Sequence, residues 1–253
     1  MNKRFKIISV FFAAAVLVSL LSVFSFAEDF NDAWVYFLKE RYNVSERIVD
    51  KYLKSGESSP EYLYLKSLLL TKRSSFEDAR IYCDKLSRFG GKWSEYALLG
   101  QADTFFLSGK FDDADILYNT FMERFSRSEI ISNAMYKYGL CLRKQGRWED
   151  ARGNFNLLVN RYPNSLSCSY ARRILDDNEF YFTIQIGSFL NYDNAYNLSK
   201  KVALKNFNTY IKKIVHKGKL YYRVRVGRFD SRDQVESQFK KLVSLGYSGV
   251  IYP

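Results

Sequence analysis

The chain of 253 residues contains 39 Lys and Arg against 27 Asp and Glu, so its formal net charge is +12 with the single histidine neutral. Its apolar and aromatic content of 47 % and its three prolines exclude a disordered chain, and its length allows two modest domains. Three cysteines are too few for a disulfide-built fold, and with one histidine they argue against a metal site. We therefore expect neither a metal nor another cofactor.

The positive charge is unevenly distributed along the chain. Residues 1–27 contain three basic residues and no acidic one, and residues 28–179 contain 23 of each sign. Residues 180–253 contain 13 basic and four acidic residues. The C-terminal part therefore carries +9 of the total, whereas the middle of the chain is neutral.

The N-terminus has the layout of a secretory signal. Lys3, Arg4 and Lys6 precede an apolar run over Ile7–Phe26, and small residues lead to a cleavage site after Ala27. The run is also long enough to remain as an uncleaved membrane anchor. In both cases the sequence predicts export to the periplasm or cell envelope, and a direct membrane contact arises only if the signal is retained.

Export bears on the cysteines, because an oxidising compartment permits disulfides. Cys83, Cys141 and Cys168 are odd in number, so at most one internal bridge can form. Each lies in an apolar segment with helical spacing. We expect buried side chains at all three positions.

The middle of the chain repeats a short motif. After each of its alanines, which are 35 and 37 residues apart, apolar or aromatic residues follow at the fourth and seventh positions, on one helix face. The preceding segments are also helical and end at a tight turn. The repeated unit is therefore predicted to be helix, turn, helix. The three motifs are Ser75-Phe76-Glu77-Asp78-Ala79, Lys110-Phe111-Asp112-Asp113-Ala114 and Arg147-Trp148-Glu149-Asp150-Ala151.

These positions resemble the tetratricopeptide (TPR) repeat over about residues 60–175. Small residues stand at Ala102 and Gly139, and glycines stand at Gly109 and Gly146, as in that family. The first unit matches least well, because it has Ser67 and Ser74 at the two corresponding places. The resemblance implies an all-α helical solenoid in which small residues allow close helix packing.

The last repeat ends with Pro163, which stops the helix, and this ending resembles periplasmic TPR proteins of the Tol-Pal and outer-membrane assembly systems. Residues 29–55 are predicted to form an additional helix pair that caps the stack, so the TPR-like domain spans 28–175. In the family the concave face holds a peptide or a partner helix. The resemblance therefore implies a protein partner, whose identity the neutral charge does not indicate.

From Phe180 the pattern changes from helical to alternating. Two similar strands are predicted, and each is followed by a helix with a start signal, at Asp193 and at Ser231 with Gln234. The order β-α-β occurs twice, so we expect an α+β split βαβ fold, ferredoxin- or RNP-like, with four antiparallel strands and two helices on one face. The four predicted strands are Phe180–Phe189, Tyr210–His216, Leu220–Phe229 and Gly249–Tyr252.

This duplicated region resembles the SPOR domain, a bacterial envelope module. The resemblance is carried by Gln185-Ile-Gly-Ser-Phe189, by Tyr221-Tyr-Arg-Val-Arg-Val-Gly227 and by Gly246-Tyr247. It covers residues 180–253, within a domain assigned to 176–253. It implies binding to septal peptidoglycan, specifically to glycan strands whose stem peptides have been removed.

Strand alternation indicates which side chains lie on the sheet face that is free to bind the glycan. Apolar residues including Ile184 and Val226 share the face that packs on the helices, and Thr183, Gln185, Tyr221, Arg223 and Arg225 share the open face. An aromatic ring suits a pyranose, an amide suits hydroxyl or N-acetyl groups, and a guanidinium suits the lactyl carboxylate of denuded muramic acid. A bulge in the second strand would redirect Lys212 or Lys213. The candidate glycan-binding residues are Gln185, Ser188, Tyr221, Arg223 and Arg225.

Other functions fit less well. An RNA-recognition module shares the split βαβ fold, but the aromatic RNP signature is absent and an exported chain rarely meets nucleic acid. A peptidoglycan enzyme would need a general acid or a nucleophile, and the predicted face offers none. A TPR scaffold that the C-terminal domain only localises remains the alternative. The short acidic junction at 176–179 suggests that the two domains are held close together.

Overall fold

In a computed structural model, the described residues are 30–56 and 59–253. The predicted signal segment lies outside them. In these ranges, no helix is long and apolar enough to cross a membrane. The helices of the N-terminal region are α1 Phe30–Leu38, α2 Tyr42–Lys54, α3 Pro60–Lys72, α4 Phe76–Ser87, α5 Gly91–Leu107, α6 Phe111–Arg124, α7 Ile131–Gln145, α8 Trp148–Arg161 and α9 Leu166–Asp177.

The chain divides into two compact units, one up to Phe89 and one from Gly90 to Pro253. In the first unit, α1 to α3 bury an apolar cluster that includes Ala33, Ile48 and Leu65. This unit also contains a buried cation, Lys66, whose ammonium pairs with Glu46 at 2.9 Å and with Asp50 at 2.6 Å. Burial acts to lower the pKa of Lys66, but these two carboxylates outweigh it and raise the pKa.

The turn between the helices of each repeat has one conformation, which explains the sequence pattern. Ser74, Gly109 and Gly146 have positive φ of 61°, 78° and 76°. The next amide donates to a carbonyl five residues earlier, from Ser75 to Leu70, Lys110 to Phe105 and Arg147 to Leu142. Glycine is favoured there because it reaches positive φ without strain. In the first repeat unit, which matches the TPR pattern least well, Ser74 therefore takes the place of this glycine.

Close helix packing accounts for the small residues. A Cβ atom on Gly139 of α7 would lie 2.5 Å from the Phe155 ring of α8, and Ala102 of α5 is fully buried. The second unit's helical core contains Tyr118, Phe121 and Phe155, all fully buried. The small positions let neighbouring helices approach and bury these rings. The predicted helical fold is thus confirmed, and the burial expected for Cys83, Cys141 and Cys168 is also confirmed.

The remainder of the second unit is a four-stranded antiparallel sheet in the order β2-β3-β1-β4. Two helices pack on one face, over a core that includes Phe182, Ile184 and Val226. The predicted α+β fold with its duplicated β-α-β order is confirmed. Its elements are β1 Phe182–Phe189, α10 Tyr192–Ala203, β2 Thr209–His216, β3 Lys219–Phe229, α11 Arg232–Ser244 and β4 Val250–Tyr252.

Both helices of this part begin at a side-chain cap. The Asn191 Oδ1 accepts from the amide of Asp193, and the Ser231 hydroxyl oxygen accepts from the amide of Gln234. The second cap is the one predicted from the sequence. The first begins at Asn191 rather than at Asp193, which instead lies in the first turn, where its negative charge favours the helix N-terminus.

The strand pairing contains irregularities, but not where alternation breaks in the sequence. Strands β2 and β3 pair without a shift from Thr209 to His216. The shifts occur between β1 and β3, between Phe182 and Ile184 and between Gln185 and Gly187. Strand β2 lies at the sheet edge and its residues are at least partly exposed, so Lys213 and Ile214 are tolerated there without a bulge.

The last repeat packs against the sheet domain within the second unit. The Trp148 ring lies edge-on to Phe182 at 4.8 Å between centroids, and a Cβ on Gly146 would lie 3.0 Å from the same Phe182 ring. Phe180, just before β1, belongs to the core cluster of the helices. These contacts place the last repeat and the sheet domain side by side, as the short junction suggested.

Candidate functional site

The sheet face opposite the helices brings four of the five predicted residues together. Gln185 of β1 lies directly across from Arg225 of β3, and Ser188 lies across from Arg223. Residues opposite each other in an antiparallel pair point to the same face. Gln185, Ser188, Arg223 and Arg225 thus form a contiguous polar group. Tyr221 lies two residues before Arg223 in β3, across from Ile214.

The bulge in β1 places Ser188 on this face. Simple alternation from Gln185 would direct Ser188 toward the helices, because the two residues are three positions apart. The register shift between Gln185 and Gly187 inserts one extra residue and reverses the alternation beyond it. Gly187 then faces the helices, where an added Cβ would lie 2.9 Å from Leu198 of α10. The Phe189 ring of the same strand would be closer still, at 2.6 Å, so the glycine of the motif leaves room for both Phe189 and Leu198.

Arg225 differs from the expectation of a solvent-facing guanidinium. It is only 1 % exposed, its Nη1 donates to Glu179 Oε1 at 2.9 Å, and its guanidinium lies over the Tyr252 ring at 4.8 Å. The physical reason is the junction, since Glu179 precedes β1 and folds its carboxylate onto the sheet face. In this conformation Arg225 is covered by the chain itself.

A third basic residue on this face, Lys212 of β2, was not among the predicted site residues. It lies across from Arg223, and its ammonium pairs with Glu179 at 2.8 Å and with Asp177 at 3.4 Å. The signal available in the sequence was the acidic junction next to a basic domain. Which basic residue pairs with which acidic one could not be predicted, because this depends on the register of β2 against β3. The broken alternation in β2 left that register open.

The charges at the junction stabilise one another. Burial acts to raise the pKa of the Glu179 carboxyl, but the hydrogen bond from Lys212 and the charge of Arg225 outweigh it and lower the pKa. The same contact outweighs the burial of Arg225 and raises the pKa of its guanidinium. The Glu179 carbonyl also accepts from Arg143 of α7 at 2.8 Å. The junction is thus bound to the sheet and to the helices.

The rest of the open face retains unused hydrogen-bonding capacity. Gln185 Oε1 and Arg223 Nε are buried and have no protein partner among the described residues. Ser188 is exposed, and Tyr221 and Arg223 are half-buried. Buried polar atoms are normally satisfied, so these two atoms lack the partners that a polar ligand would supply if the Gln185 and Arg223 side chains moved to expose them.

A further cation borders the face at the N-terminal end of β1. The Arg228 guanidinium lies over the ring of Tyr181 at 4.9 Å and over the ring of Tyr210 at 5.3 Å. The Tyr210 hydroxyl donates to Thr183 Oγ1 at 3.3 Å. Aromatic and basic side chains therefore continue across β1, β2 and β3.

The part of the chain that the structure describes offers no group of side chains suited to a metal site. No cluster of three or more His, Cys, Asp or Glu residues suited to a metal ion is found there.

Between α6, α7 and α8 lies an apolar cleft of about 320 Å³, lined by residues that include Met122, Met135, Leu157 and Tyr162. This cleft is a candidate surface for a protein partner of the repeats.

Residues 178–253 match the family described as the SPOR domain, and residues 133–165 match a tetratricopeptide repeat family. The chain thus carries a SPOR domain at its C-terminus, preceded by TPR repeats. SPOR domains are cell-envelope modules that bind peptidoglycan, and TPR repeats mediate protein interactions. Neither family is catalytic. No curated protein sequence matches the chain.

The solved structures that are similar to parts of this chain include the following three. The RlpA SPOR domain from Pseudomonas aeruginosa is 24 % identical over 28 % of this chain and 97 % of its own, with a TM-score of 0.26. The peptidoglycan binding domain of the B. subtilis cell wall lytic enzyme CwlC is 24 % identical over 28 % and 85 %, with a TM-score of 0.25. YrrB, a TPR protein with an unusual peptide-binding site, is 18 % identical over 68 % and 88 %, with a TM-score of 0.47.

Proposed function

We propose that this chain, a SPOR domain joined to TPR repeats, binds peptidoglycan strands that lack stem peptides and recruits a protein partner to them, without itself being an enzyme. The observation that carries the proposal is the open sheet face, where Gln185, Ser188 and Arg223 lie side by side with unsatisfied polar atoms at Gln185 and Arg223. Tyr221 and Lys212 flank this group.

The ligand class follows from the chemistry of these side chains. Removing the stem peptide leaves the lactyl group of muramic acid with a carboxylate in place of an amide. A guanidinium binds a carboxylate with charge-assisted hydrogen bonds, so Arg223 favours the stripped strand. Gln185 serves a hydroxyl or an N-acetyl group because its amide both donates and accepts. A face that binds both the free carboxylate and the sugar's polar groups distinguishes denuded glycan from intact peptidoglycan.

The cellular setting of the proposal depends on the N-terminal 27 residues. Their basic and apolar pattern supports export to the periplasm, where peptidoglycan is accessible. Denuded strands arise where amidases separate daughter cells, so we place the protein at the division site or at another place of cell-wall remodelling. The TPR repeats would bring their partner there.

A second candidate function is a periplasmic scaffold of the Tol-Pal or outer-membrane assembly type, which the C-terminal domain only localises. The apolar cleft between α6, α7 and α8 favours it, because this cleft lies within the repeats and is lined largely by apolar side chains. In this case the partner of the repeats, rather than the glycan, determines the biological role.

The proposal is tested by co-sedimentation of the chain with purified sacculi, before and after an amidase removes the stem peptides. We expect binding to increase after stripping. Arg223→Ala should reduce binding by about tenfold or more, since the loss of one charged hydrogen bond is worth about 1.5–3 kcal/mol. Lys240→Ala is the matched control, because Lys240 is exposed on α11. Equal losses in both variants would indicate nonspecific charge attraction, and no binding to either sacculus would refute the proposal.

A further inference from the structure

The carboxylate of Glu179 occupies the basic part of the open sheet face. Its Oε1 lies 2.8 Å from Lys212 Nζ and 2.9 Å from Arg225 Nη1, and the Tyr181 hydroxyl donates to it at 3.4 Å. The Glu179 side chain is only 13 % exposed. A single carboxylate from the junction is therefore held by one ammonium, one guanidinium and one hydroxyl.

This arrangement has the chemistry expected of a bound ligand carboxylate. The lactyl group of denuded muramic acid would present the same functional group to the same face. Two carboxylates cannot share these donors without mutual repulsion in a site from which water is largely excluded. Glu179 and an anionic ligand are therefore alternatives at Arg225 and Lys212.

We propose that Glu179 is an internal competitor of the glycan, so that full engagement of the sheet face requires the junction to leave Arg225 and Lys212. This inference rests on the proposed function, because it concerns the same face. In the junction-bound state, Arg223, Gln185 and Ser188 remain open to the ligand. In the released state, Arg225 and Lys212 join them, and the basic face extends over β2, β3 and β1.

The junction also connects this exchange to the helical repeats. The Glu179 carbonyl accepts from Arg143 of α7, and the next residue, Phe180, lies under the guanidinium of Arg152 of α8 at 4.5 Å. Displacing Glu179 from the sheet therefore disturbs contacts with α7 and α8. These helices also line the apolar cleft that we assign to a protein partner. Ligand binding at the sheet is thereby coupled to the repeats.

The pair Glu179→Gln and Asp177→Asn provides a matched test in the full chain. Both changes remove one negative charge from the junction, but Glu179 is the nearly buried partner of Arg225. Asp177 is half-exposed, and among residues 30–56 and 59–253 its ion pair is with Lys212 alone, at 3.4 Å. We expect Glu179→Gln to bind amidase-stripped sacculi on the order of tenfold more tightly than the unaltered chain. Asp177→Asn should change binding by less than about twofold. A tenfold change in binding corresponds to the free energy of about one close charge pair.

The outcomes separate this inference from the proposed function. Equal binding by Glu179→Gln and Asp177→Asn, or weaker binding by Glu179→Gln, would overturn the competition while leaving glycan binding in place. No binding by any form would refute both. If Glu179→Gln fails to fold, hydrogen exchange of the unaltered chain decides the question. Amide exchange at 178–181 should rise when stripped glycan fragments are added, and unchanged or slower exchange would overturn the inference.

Discussion

The indole Nε1 of Trp148 donates a hydrogen bond of 2.7 Å to the backbone carbonyl of Asp230, 82 residues later in the chain. Trp148 is the aromatic residue of the third repeat motif, and Asp230 lies in the loop that leads into α11. A residue conforming to the repeat pattern thus fixes the sheet domain to the helices. This relationship implies that the last repeat and the SPOR domain unfold as one cooperative body.

Trp148→Phe tests this connection. It keeps an aromatic ring against Phe182 but removes the N–H donor, so we expect a loss of about 1 kcal/mol in the free energy of unfolding. Urea unfolding followed by circular dichroism measures the change. A single transition is expected for the helices and the sheet of the second unit, and separate transitions would contradict the shared packing.

Substitution by alanine should have opposite effects on stability at Gly139 of α7 and Gly153 of α8. A Cβ at Gly139 would lie 2.5 Å from the Phe155 ring, so Gly139→Ala should destabilise the protein by about 1–3 kcal/mol. At Gly153 no described atom outside the chain neighbours and the backbone of α8 lies within 4 Å of the added Cβ. Gly153→Ala should therefore stabilise by up to about 1 kcal/mol, because alanine favours the helix. The free energies of unfolding in urea compare them, and similar changes in both variants would argue against close packing at Gly139.

Arg225 and Arg223 should play different roles although both lie on the open face. Arg225→Ala removes the buried partner of Glu179 and should cost about 3 kcal/mol of stability. Arg223→Ala should leave stability within about 0.5 kcal/mol and reduce binding to stripped sacculi. Thermal unfolding and co-sedimentation distinguish the two effects. Comparable melting temperatures for the two variants would contradict the assigned ion pair.

The junction should make stability depend on pH on the acid side. Because the folded protein lowers the pKa of Glu179, its ion pairs are fully formed above the ordinary glutamate range and are lost as the pH falls through the lowered pKa. The unaltered chain should therefore be more stable than Glu179→Gln at pH 7. That difference should shrink as the pH falls below about 4. Melting temperatures across this range provide the measurement, and a difference independent of pH would exclude the charge as its cause.

The thiol of Cys141 should be unreactive in the folded state. It is fully buried, it donates to the Phe111 carbonyl at 3.3 Å, and burial raises its pKa to about 12. A thiol that stays protonated is a poor nucleophile. We expect slow labelling by a thiol reagent at pH 8 and rapid labelling in denaturant, with mass spectrometry of the Cys141 peptide as the readout. Rapid labelling of the native chain would show that α7 opens locally.

The repeat pattern and the strand alternation were sufficient to predict most elements. The strands assigned from alternation differ by at most two residues from β1 to β4, because period-two hydrophobicity reports directly on which face is buried. The small residues and turn glycines of the repeats were likewise predicted, since each has a local steric cause. The glycan-binding role of Gln185, Ser188, Tyr221, Arg223 and Arg225 stays a prediction.

The sequence by itself determined the two fold classes, the excess of positive charge in the C-terminal part and the residue types on its open face. These properties depend on local periodicity and composition. Only the tertiary structure decided that a bulge brings Ser188 beside Arg223, that Lys212 joins this face, and that Glu179 covers Arg225. Register and ion pairing join residues that are 11 to 46 positions apart, and their free energies depend on burial and distance, which no local pattern encodes.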